Sequence, residues 1–504
     1  MLSLFLFCFR NRPTAGLWCL FAAAFLLRCW AAGLDPYLND WDERFHAIVA
    51  KNMLEAGPWK PVLRLQPIMP YDYTAWCCNY VWLHKQPLFL WQMAGSMGVF
   101  GVHLWSLRLP GVLMGALLVF VVSRMGTLLR DRETGFYAAF LYAGAYYQLE
   151  LTSGLQGMEH NDLAFLFYVT LSLWAYLEYE SNSHSRRWAI WLGVFAGAAV
   201  LCKWLAGLLV FGIWGLNWLF GRSPGRRAEL GLLLGSAAVA AAVFLPWQWY
   251  TQLVFPAEAA HERAFNTQHI FQVVEGHAGG WDYYFNYFKY HYGTGSWIPA
   301  VAGLALCFST VHAPRMRNIL LLGVALVYGF FSLVAQTKLP SYVYFIAPVI
   351  YLLFGLSLRA LEGLLRGRWP ETGRQLAVAL LLAGGFYLSW QPRKLIAAHL
   401  HPATAWEQNR RQRKLANTAV YRKIESLVPP GYVVFNCPSF EDTEAMFFSR
   451  HQAYGWTPDP AEFARLKSLG VRLAVFDAPG GMQAPDYIRN DPDVLLIREK
   501  LLLE

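Results

Sequence analysis

The sequence is dominated by long apolar runs that are separated by short, charged connections. About eleven of these runs are long enough to cross roughly 30 Å of hydrocarbon as helices. Backbone groups inside a bilayer must be hydrogen-bonded within the protein, so this pattern predicts a polytopic α-helical membrane protein. The predicted spans are 14–33, 106–128, 134–151, 160–179, 188–203, 204–220, 228–250, 295–312, 318–336, 340–358 and 375–391.

The composition agrees with this class of protein. Of the 504 residues, 56% are hydrophobic and 15% are charged, and the mean hydropathy is +0.29. A formal net charge of +9 would suit a nucleic-acid partner, but the arginines concentrate in the short connections between apolar runs. We therefore attribute the basic residues to membrane topology and expect no nucleic-acid partner.

Every second connection is rich in arginine, which predicts that these connections and the N-terminus lie in the cytoplasm. We expect the first apolar run to be a retained signal anchor rather than a cleaved signal peptide. The parity of the later spans depends on dividing the run 188–220 at Lys203-Trp204. The basic connections are 124–132, 186–187, 222–227, 315–317 and 359–374. The remaining segments, predicted to be extracytoplasmic, are 34–105, 151–160, 251–294, 337–340 and the tail from 393.

The tail differs in composition from the rest of the chain and alternates between two kinds of pattern. Strands are predicted at 432–435 and 471–476, and helices at 442–450 and 460–469, which indicates a small α/β domain. The predicted domains are 1–392, a transmembrane domain with long outer loops 34–105 and 251–294, and 393–504, a C-terminal extracytoplasmic domain.

A charged segment, Trp41-Asp42-Glu43-Arg44-Phe45-His46, follows the first span. Ionisable groups beside a bilayer are costly to keep dry, so their clustering favours a reaction site over packing. The stretch from Asp42 to Met53 is typical of an interfacial amphipathic helix, with Asp40, Asp42 and Glu43 near its N-terminus. The helix dipole keeps such carboxylates ionised, and one of them could act as a general base. Helix capping by Asp40 or Asp42 is the structural alternative.

Cations and aromatic residues recur in the other predicted outer loops. Lys85 follows His84 beside an X-Pro turn, which suits a point-charge contact to a phosphate; snorkelling to lipid headgroups is the alternative. Two or three cations that converge from separate loops would form a phosphate site. The further candidate binding residues are Glu159, Asp162, His261, Arg263, His277, Tyr283, Lys338 and Tyr342. The eight-residue spacing of His261, His269 and His277 fits no usual zinc motif, so we predict no metal site there.

Four of these motifs, in this order, resemble those of the polyprenyl-phosphate-dependent glycosyltransferases of the GT-C fold, which include lipid A aminoarabinose transferases and protein O-mannosyltransferases. The motifs are DERFHAIVAKNM, HKQPLFLW, HERAF and TKLPSY. The resemblance covers roughly residues 14–390 and implies a GT-C fold with about 11 to 13 transmembrane helices. The tail matches the family only as a small domain outside the membrane.

The resemblance also implies an inverting transfer, in which a carboxylate of the first outer loop activates the acceptor and the acceptor displaces the lipid phosphate. By position, this carboxylate matches Asp42, with Glu43 beside it. Lys85 matches the lysine of the family's Lys-Pro-Pro-Leu segment, and Arg263 and Tyr342 match positions that hold the donor phosphate.

The chain departs from the family at three places. In the first motif, the family's arginine and aromatic residue are shifted or replaced by Phe45 and His46, which would fit a different sugar or acceptor. Lys85 is followed by Gln86 rather than proline, which alters the turn. The second acidic loop reads Glu159-His160-Asn161-Asp162, so either acid could be the equivalent of the family's carboxylate.

These expectations together describe a glycosyltransferase of the inner membrane whose site faces away from the cytoplasm. Its donor would be a polyprenyl-phosphate sugar, its acceptor lipid A, another glycan or a protein, and its other partner membrane lipid. No cofactor is required by this chemistry, and a divalent metal ion is compatible with it. The alternative is a multi-pass lipid or solute transporter or flippase, but that class more often carries mid-membrane charges and internal repeats.

Overall fold

The computed structural model describes residues 2–503 apart from 10, 76–77, 155–158, 222–224, 367, 392–393, 395, 398–399 and 401–403, and only the backbone of Phe9 and Glu159. The chain divides into two compact units. The first unit consists of Met1–Ala32, His84–Phe89 and Leu109–Pro392. The second consists of Gly33–Leu83, Leu90–Arg108 and Arg393–Glu504, so most of the first outer loop belongs with the tail.

The regular secondary structure of the first unit is helical in the residues that the structure describes. Its α-helices are Leu2–Leu4, Pro13–Ala32, most of Leu104–Leu129, Arg132–Ala143, Tyr146–Ser153, Glu159–Ser181, Arg186–Lys203, Leu209–Phe220, Arg226–Val254, Pro256–Phe271, Tyr283–Tyr292, Trp297–Thr310, Pro314–Leu333, Ala347–Leu365 and Glu371–Trp390. A π-helix lies at Phe5–Phe9, and 3-10 helices lie at Trp204–Leu208 and Pro340–Ile346.

Several of these helices are suited to a bilayer, which makes the chain a multi-pass membrane protein. Within the described residues, six helical stretches are long and apolar enough to cross a membrane. They are Pro13–Ala32, Leu104–Leu129, Arg186–Phe220, Arg226–Val254, Pro314–Leu333 and Pro340–Leu365. The predicted count of about eleven is not confirmed by this criterion. The run predicted as one span at 134–151, for example, is broken into two short helices at Gly144.

The longest apolar stretch, Arg186–Phe220, breaks where the sequence predicted. Its first helix ends at Lys203, and Trp204 has a φ of 61° at the start of a 3-10 turn. A Cβ atom on Gly207 would lie 2.6 Å from the backbone nitrogen of Val200. The chain therefore turns back against the end of its own helix, and only glycine fits this close approach.

Both ends of this stretch lie beside the same end of a neighbouring helix, Glu159–Ser181. The rings of Trp188 and Trp174 meet edge to face, with centroids 5.2 Å apart. At the other end of the stretch, Asn217 donates a hydrogen bond of 2.8 Å to the hydroxyl of Tyr176. The stretch therefore runs out and returns, which supports its division into two spans.

Arginines of the predicted cytoplasmic connections form ion pairs at that same end of the bundle. Arg124 donates to Glu178 at 2.6 Å, and Arg315 lies 3.0 Å from Glu180. Both acids belong to the last turns of one helix, whereas Asp162 lies in the first turn of that helix. The arginine-rich connections and Asp162 are therefore at opposite ends of the first unit.

The second unit combines two helices from the early part of the chain with a small α/β fold. Its helices are Asp42–Ala56, most of Leu88–Phe100, Ala405–Tyr421, Ile424–Leu427, Asp442–Phe448, Pro460–Ser468 and Asp486–Arg489. Strands Tyr432–Phe435, Arg472–Phe476 and Leu495–Ile497 form a parallel sheet in that order. The strands and helices predicted in the tail are confirmed, with ends shifted by two residues or fewer. Phe435, Val475, Leu466 and Ile488 pack in its core.

Candidate active site

Asp42 is the first residue of helix Asp42–Ala56, and it is partly exposed. The N-cap position of this helix is occupied by Trp41, so neither Asp40 nor Asp42 has the predicted N-cap position. The first backbone N–H groups of a helix have no partner within the helix, and they give this end a partial positive charge. Asp42 is therefore placed where an ionised carboxylate is favoured and can be reached from solvent.

Glu43 is buried in a polar contact that leaves it unsuited to contact a substrate. Its two carboxylate oxygens accept hydrogen bonds of 2.7 and 2.9 Å from the guanidinium of Arg108. The backbone and side-chain nitrogens of Asn39 each donate a further hydrogen bond of 2.8 Å. The role of Glu43 in this geometry is to fix the loop before the helix.

Asp40 is held by three cations. Arg44 lies 3.0 Å from its carboxylate, Lys414 lies 2.6 Å away, and Arg410 is the third partner. Burial, together with the neighbouring Arg44 and Arg410, lowers the pKa of Lys414 to about 7. The carboxylate of Asp40 is therefore engaged by the helix Ala405–Tyr421 as well as by Arg44.

In the first unit, His84 and Lys85 face the helix Pro256–Phe271. Nδ1 of His84 lies 3.2 Å from Oε2 of Glu262, and the ring of His84 packs against Phe265 with centroids 5.6 Å apart. Burial lowers the pKa of His269, and the charges of Lys85 and His84 lower it further. His84, Lys85 and a second histidine, His269, therefore lie close together in the first unit.

Lys338 does not present its charge to solvent. Its ammonium is buried and donates to the backbone carbonyls of Phe331, Ser332 and Ala335 at 2.5, 3.1 and 2.5 Å. Burial lowers the pKa of this ammonium. A cation at the C-terminal end of a helix satisfies its last carbonyls and opposes its dipole. Lys338 therefore closes helix Pro314–Leu333, and we assign no ligand to it.

Asp162 and Tyr342 are brought together by a lysine outside our predicted binding residues. The ammonium of Lys203 forms an ion pair with Asp162 and lies 5.0 Å from the centroid of the Tyr342 ring. Lys203 lies at the break in the longest apolar stretch. A charged residue in the middle of an apolar run is a signal that could have been read from the sequence. Glu159, the other candidate acid, lies outside the described side chains.

The remaining candidates lie on the surface of the segment 251–294, which we call the late outer loop. His261, Arg263 and His277 are exposed. Tyr283 is partly buried and stacks on Tyr287, with centroids 4.7 Å apart, and burial raises its pKa. The backbone carbonyl of His277 accepts a hydrogen bond of 2.9 Å from the backbone of Lys338, which ties this loop to the segment before Pro340–Ile346.

Among the residues that the structure describes, no group of three or more histidine, cysteine, aspartate or glutamate side chains could hold a metal ion. Four basic residues that form ion pairs with the candidate acids were not among the predicted site residues. Their partners are far away in the sequence. These residues are Arg108, Lys203, Arg410 and Lys414.

The sequence has relatives among lipid-dependent transferases. Residues 84–250 match a family model described as dolichyl-phosphate-mannose-protein mannosyltransferase. The undecaprenyl phosphate-alpha-4-amino-4-deoxy-L-arabinose arabinosyl transferase of Pseudomonas paraeruginosa is 28% identical over 330 residues, which cover 60% of this chain and 52% of that protein. The chain thus matches about half the length of this relative.

Solved structures resemble the chain over nearly its whole length. The crystal structure of ArnT from Cupriavidus metallidurans in the apo state has a TM-score of 0.65 and 17% identity, covering 90% of this chain and 91% of that one. The same protein bound to undecaprenyl phosphate has a TM-score of 0.63 and 18% identity, covering 90% and 88%. The chain therefore has the GT-C fold of these structures.

Proposed function

We propose that this protein transfers a sugar from an undecaprenyl-phosphate donor to an acceptor in the cell envelope. The observation that carries the proposal is the partly exposed Asp42 in the first turn of the helix Asp42–Ala56, in a chain of this fold. The similar arabinosyl transferase is named for such a donor, and the similar ArnT protein has been solved with undecaprenyl phosphate.

Asp42 is the general base in the proposed reaction. It takes the proton of the acceptor hydroxyl or amine while the acceptor atom bonds to the anomeric carbon. The bond between that carbon and the phosphate oxygen breaks, and its electron pair leaves on the phosphate. A single displacement from the opposite face inverts the anomeric centre, and no covalent intermediate with the enzyme is formed.

The donor phosphate is assigned to Lys85, with His84 and Arg263 as further contacts. Preorganised cations stabilise the charge that develops on the leaving phosphate. Glu262 orients His84 through the 3.2 Å contact to its Nδ1. Asp162, Lys203 and Tyr342 make a separate cluster that we assign to the donor sugar or its phosphate.

The site is proposed to face away from the cytoplasm in the inner membrane. The basis is the arginine-rich connections, whose ion pairs lie at the end of the first unit opposite to Asp162. In this assignment residues 1–392 form the membrane domain, loops 34–105 and 251–294 hold the chemistry, and 393–504 form the outer domain. Lipid A, another glycan and a protein are the candidate acceptors.

The experiment is a transfer assay with purified protein in liposomes. The probe donor is undecaprenyl phosphate-4-amino-4-deoxy-L-arabinose, the first acceptor is lipid A, and release of undecaprenyl phosphate is measured. We expect Asp42→Asn to lose roughly 10²–10⁴-fold in rate while its donor affinity stays within about twofold. Wild-type turnover in Asp42→Asn would overturn the assignment of the base. Mass spectrometry of envelope glycans and lipids from a deletion strain and its parent identifies the acceptor.

A further inference from the structure

Two large aromatic side chains of the second unit are exposed beside Asp42. The side chain of Trp41 is 64% exposed and that of Phe440 is 39% exposed. Their ring centroids are 5.2 Å apart at an angle of 47°, and Phe45 lies 6.3 Å from Phe440 beneath them. The first outer loop and the tail thus each contribute one ring to a single surface, which we call the aromatic platform.

Both residues of the platform adopt a backbone conformation that bulky side chains rarely adopt. The φ angle is 61° at Trp41 and 60° at Phe440. A positive φ at a large side chain is a true outlier, and such strain persists only where the surroundings over-determine it. Both rings are exposed, so burial of the side chains does not compensate for this backbone strain.

The backbone on each side of Trp41 is held by ion pairs. Asp40 is bound by Arg410 and Lys414, and Glu43 is bound by Arg108. These contacts fix the chain immediately before Trp41 and two residues after it. They therefore hold the ring outward and at the same time orient Asp42.

An equivalent set of contacts follows Phe440. The carboxylate of Glu441 accepts hydrogen bonds of 2.6 Å from Tyr421 and 2.8 Å from Asn417. Asp442 forms an ion pair of 2.5 Å with Arg64. Arg44 lies 3.0 Å from Asp40 and 3.8 Å from Glu441, so it joins the two sets of contacts. One polar network thus holds two exposed, strained rings against each other, next to the proposed base.

We propose that the aromatic platform binds a carbohydrate ring of the acceptor; this rests on the proposed function of Asp42. The acceptor atom must come within hydrogen-bond reach of Asp42, and the neighbouring residue supplies the platform. A sugar presents C–H bonds on one face, which pack on aromatic rings, and hydroxyl groups at its rim, one of which would reach the partly exposed Asp42. The acceptor is therefore a glycolipid or glycan rather than a serine or threonine side chain.

Photocrosslinking in cells can identify the molecule that binds to the aromatic platform, even when its identity is not known in advance. Trp41 or Phe440 is replaced by p-benzoylphenylalanine in a strain that lacks the native gene, and crosslinked peptides are analysed by mass spectrometry after irradiation. We expect adducts that contain carbohydrate at both positions. Trp59 is the matched control, since it is also exposed and lies against another ring, that of Trp91, in the same unit. Adducts with phospholipid alone, adducts with protein alone, or no adducts at Trp41 and Phe440 would overturn the proposal.

Substitution by glycine separates binding from structural support. Glycine tolerates a φ of 61°, so Trp41→Gly removes the strain together with the ring. We expect its Tm to rise, while carbohydrate adducts at position 440 fall at least about tenfold; Trp41→Phe should retain them and Trp59→Ala should not change them. A Trp41→Gly protein with unchanged adducts would overturn the platform.

The same proteins distinguish this proposal from the proposed function. Binding of undecaprenyl phosphate by Trp41→Gly should stay within about twofold of wild type, because the ring contacts the acceptor and not the donor. A wild-type protein that does not bind undecaprenyl phosphate would overturn the proposed function, while carbohydrate adducts at Trp41 would still support the platform.

Discussion

Arg108 holds Glu43 through two parallel hydrogen bonds, of 2.7 and 2.9 Å, although 65 residues separate them in the sequence. Both side chains are almost completely buried. This paired geometry is the strong form of a charge-assisted contact. It fixes the start of helix Asp42–Ala56 and so determines where Asp42 is presented.

We predict that Arg108→Met destabilises the second unit by about 3–5 kcal/mol, because it leaves the carboxylate of Glu43 buried without its partner. Thermal and denaturant unfolding of the purified protein in detergent measure this change. The double variant Arg108→Met, Glu43→Met should recover part of the loss. Arg465→Met, which breaks an ion pair with Glu462 at the surface, should cost only about 0–1 kcal/mol. Equal losses in the two single variants would contradict the structural role of Glu43.

Lys85 and Lys338, both candidates for the phosphate site, are predicted to behave differently. Lys85→Met should weaken undecaprenyl phosphate binding by about 1.5–3 kcal/mol, as expected for a hydrogen bond to a charged group. Lys338→Met should leave this affinity unchanged and lower the stability instead, because the ammonium closes a helix. Binding to liposomes that contain undecaprenyl phosphate and unfolding of the same samples provide the two measurements. Weaker lipid binding in a stable Lys338→Met protein would reverse the assignment.

The pKa of Lys414 predicts a pH dependence of stability. Its value is lowered to about 7 in the folded protein, chiefly by burial, whereas an unfolded chain has about 10.4. Between these values the unfolded state binds more protons, so stability rises with pH, by up to about 1.4 kcal/mol per pH unit. This contribution is complete above the unfolded value and is lost as the pH falls toward 7.

The measurement is the difference in unfolding free energy between wild type and Lys414→Met at pH 6.5, 7.5 and 8.5. We expect the unfolding free energy of wild type to increase relative to that of Lys414→Met as the pH rises. Lys467→Met is the control, because the contact of this lysine with Asp491 raises its pKa and keeps it protonated over this range. A difference that is flat with pH would show that Lys414 stays protonated when folded.

The elements that were predictable from the sequence are those with a local signal. Strand Tyr432–Phe435 follows from a short run of β-formers, and the break after Lys203 follows from a charge inside a run too long for one span. Long-range pairing has no such signal. The ion pair between Lys203 and Asp162 depends on how two helices pack. The hydrogen bonds of Lys338 to the last carbonyls of helix Pro314–Leu333 depend on the path of the chain after that helix. Neither contact has a local pattern in the sequence.

The acidic cluster illustrates the same limit. Asp40, Asp42 and Glu43 were equivalent as a pattern, since all three lie near one helix N-terminus. They differ through their partners, which come from Arg108 and from the helix Ala405–Tyr421. The motif therefore indicated the candidate site, and the structure was needed to show which distant cations hold Asp40 and Glu43.

The topology predicts on which side of the membrane three exposed positions lie. Because Arg186–Phe220 turns back at Lys203, we count it as two spans. On this count we predict that the loop 251–294 and the tail lie outside the cytoplasm. In a protein without its native cysteines, Thr267→Cys and Ser468→Cys should react with an impermeant thiol reagent on intact cells. Ser183→Cys, at the arginine-rich end, should react only after lysis. Protection of Thr267→Cys in intact cells together with labelling of Ser183→Cys would mean that the orientation is reversed, and the proposed site would then face the cytoplasm.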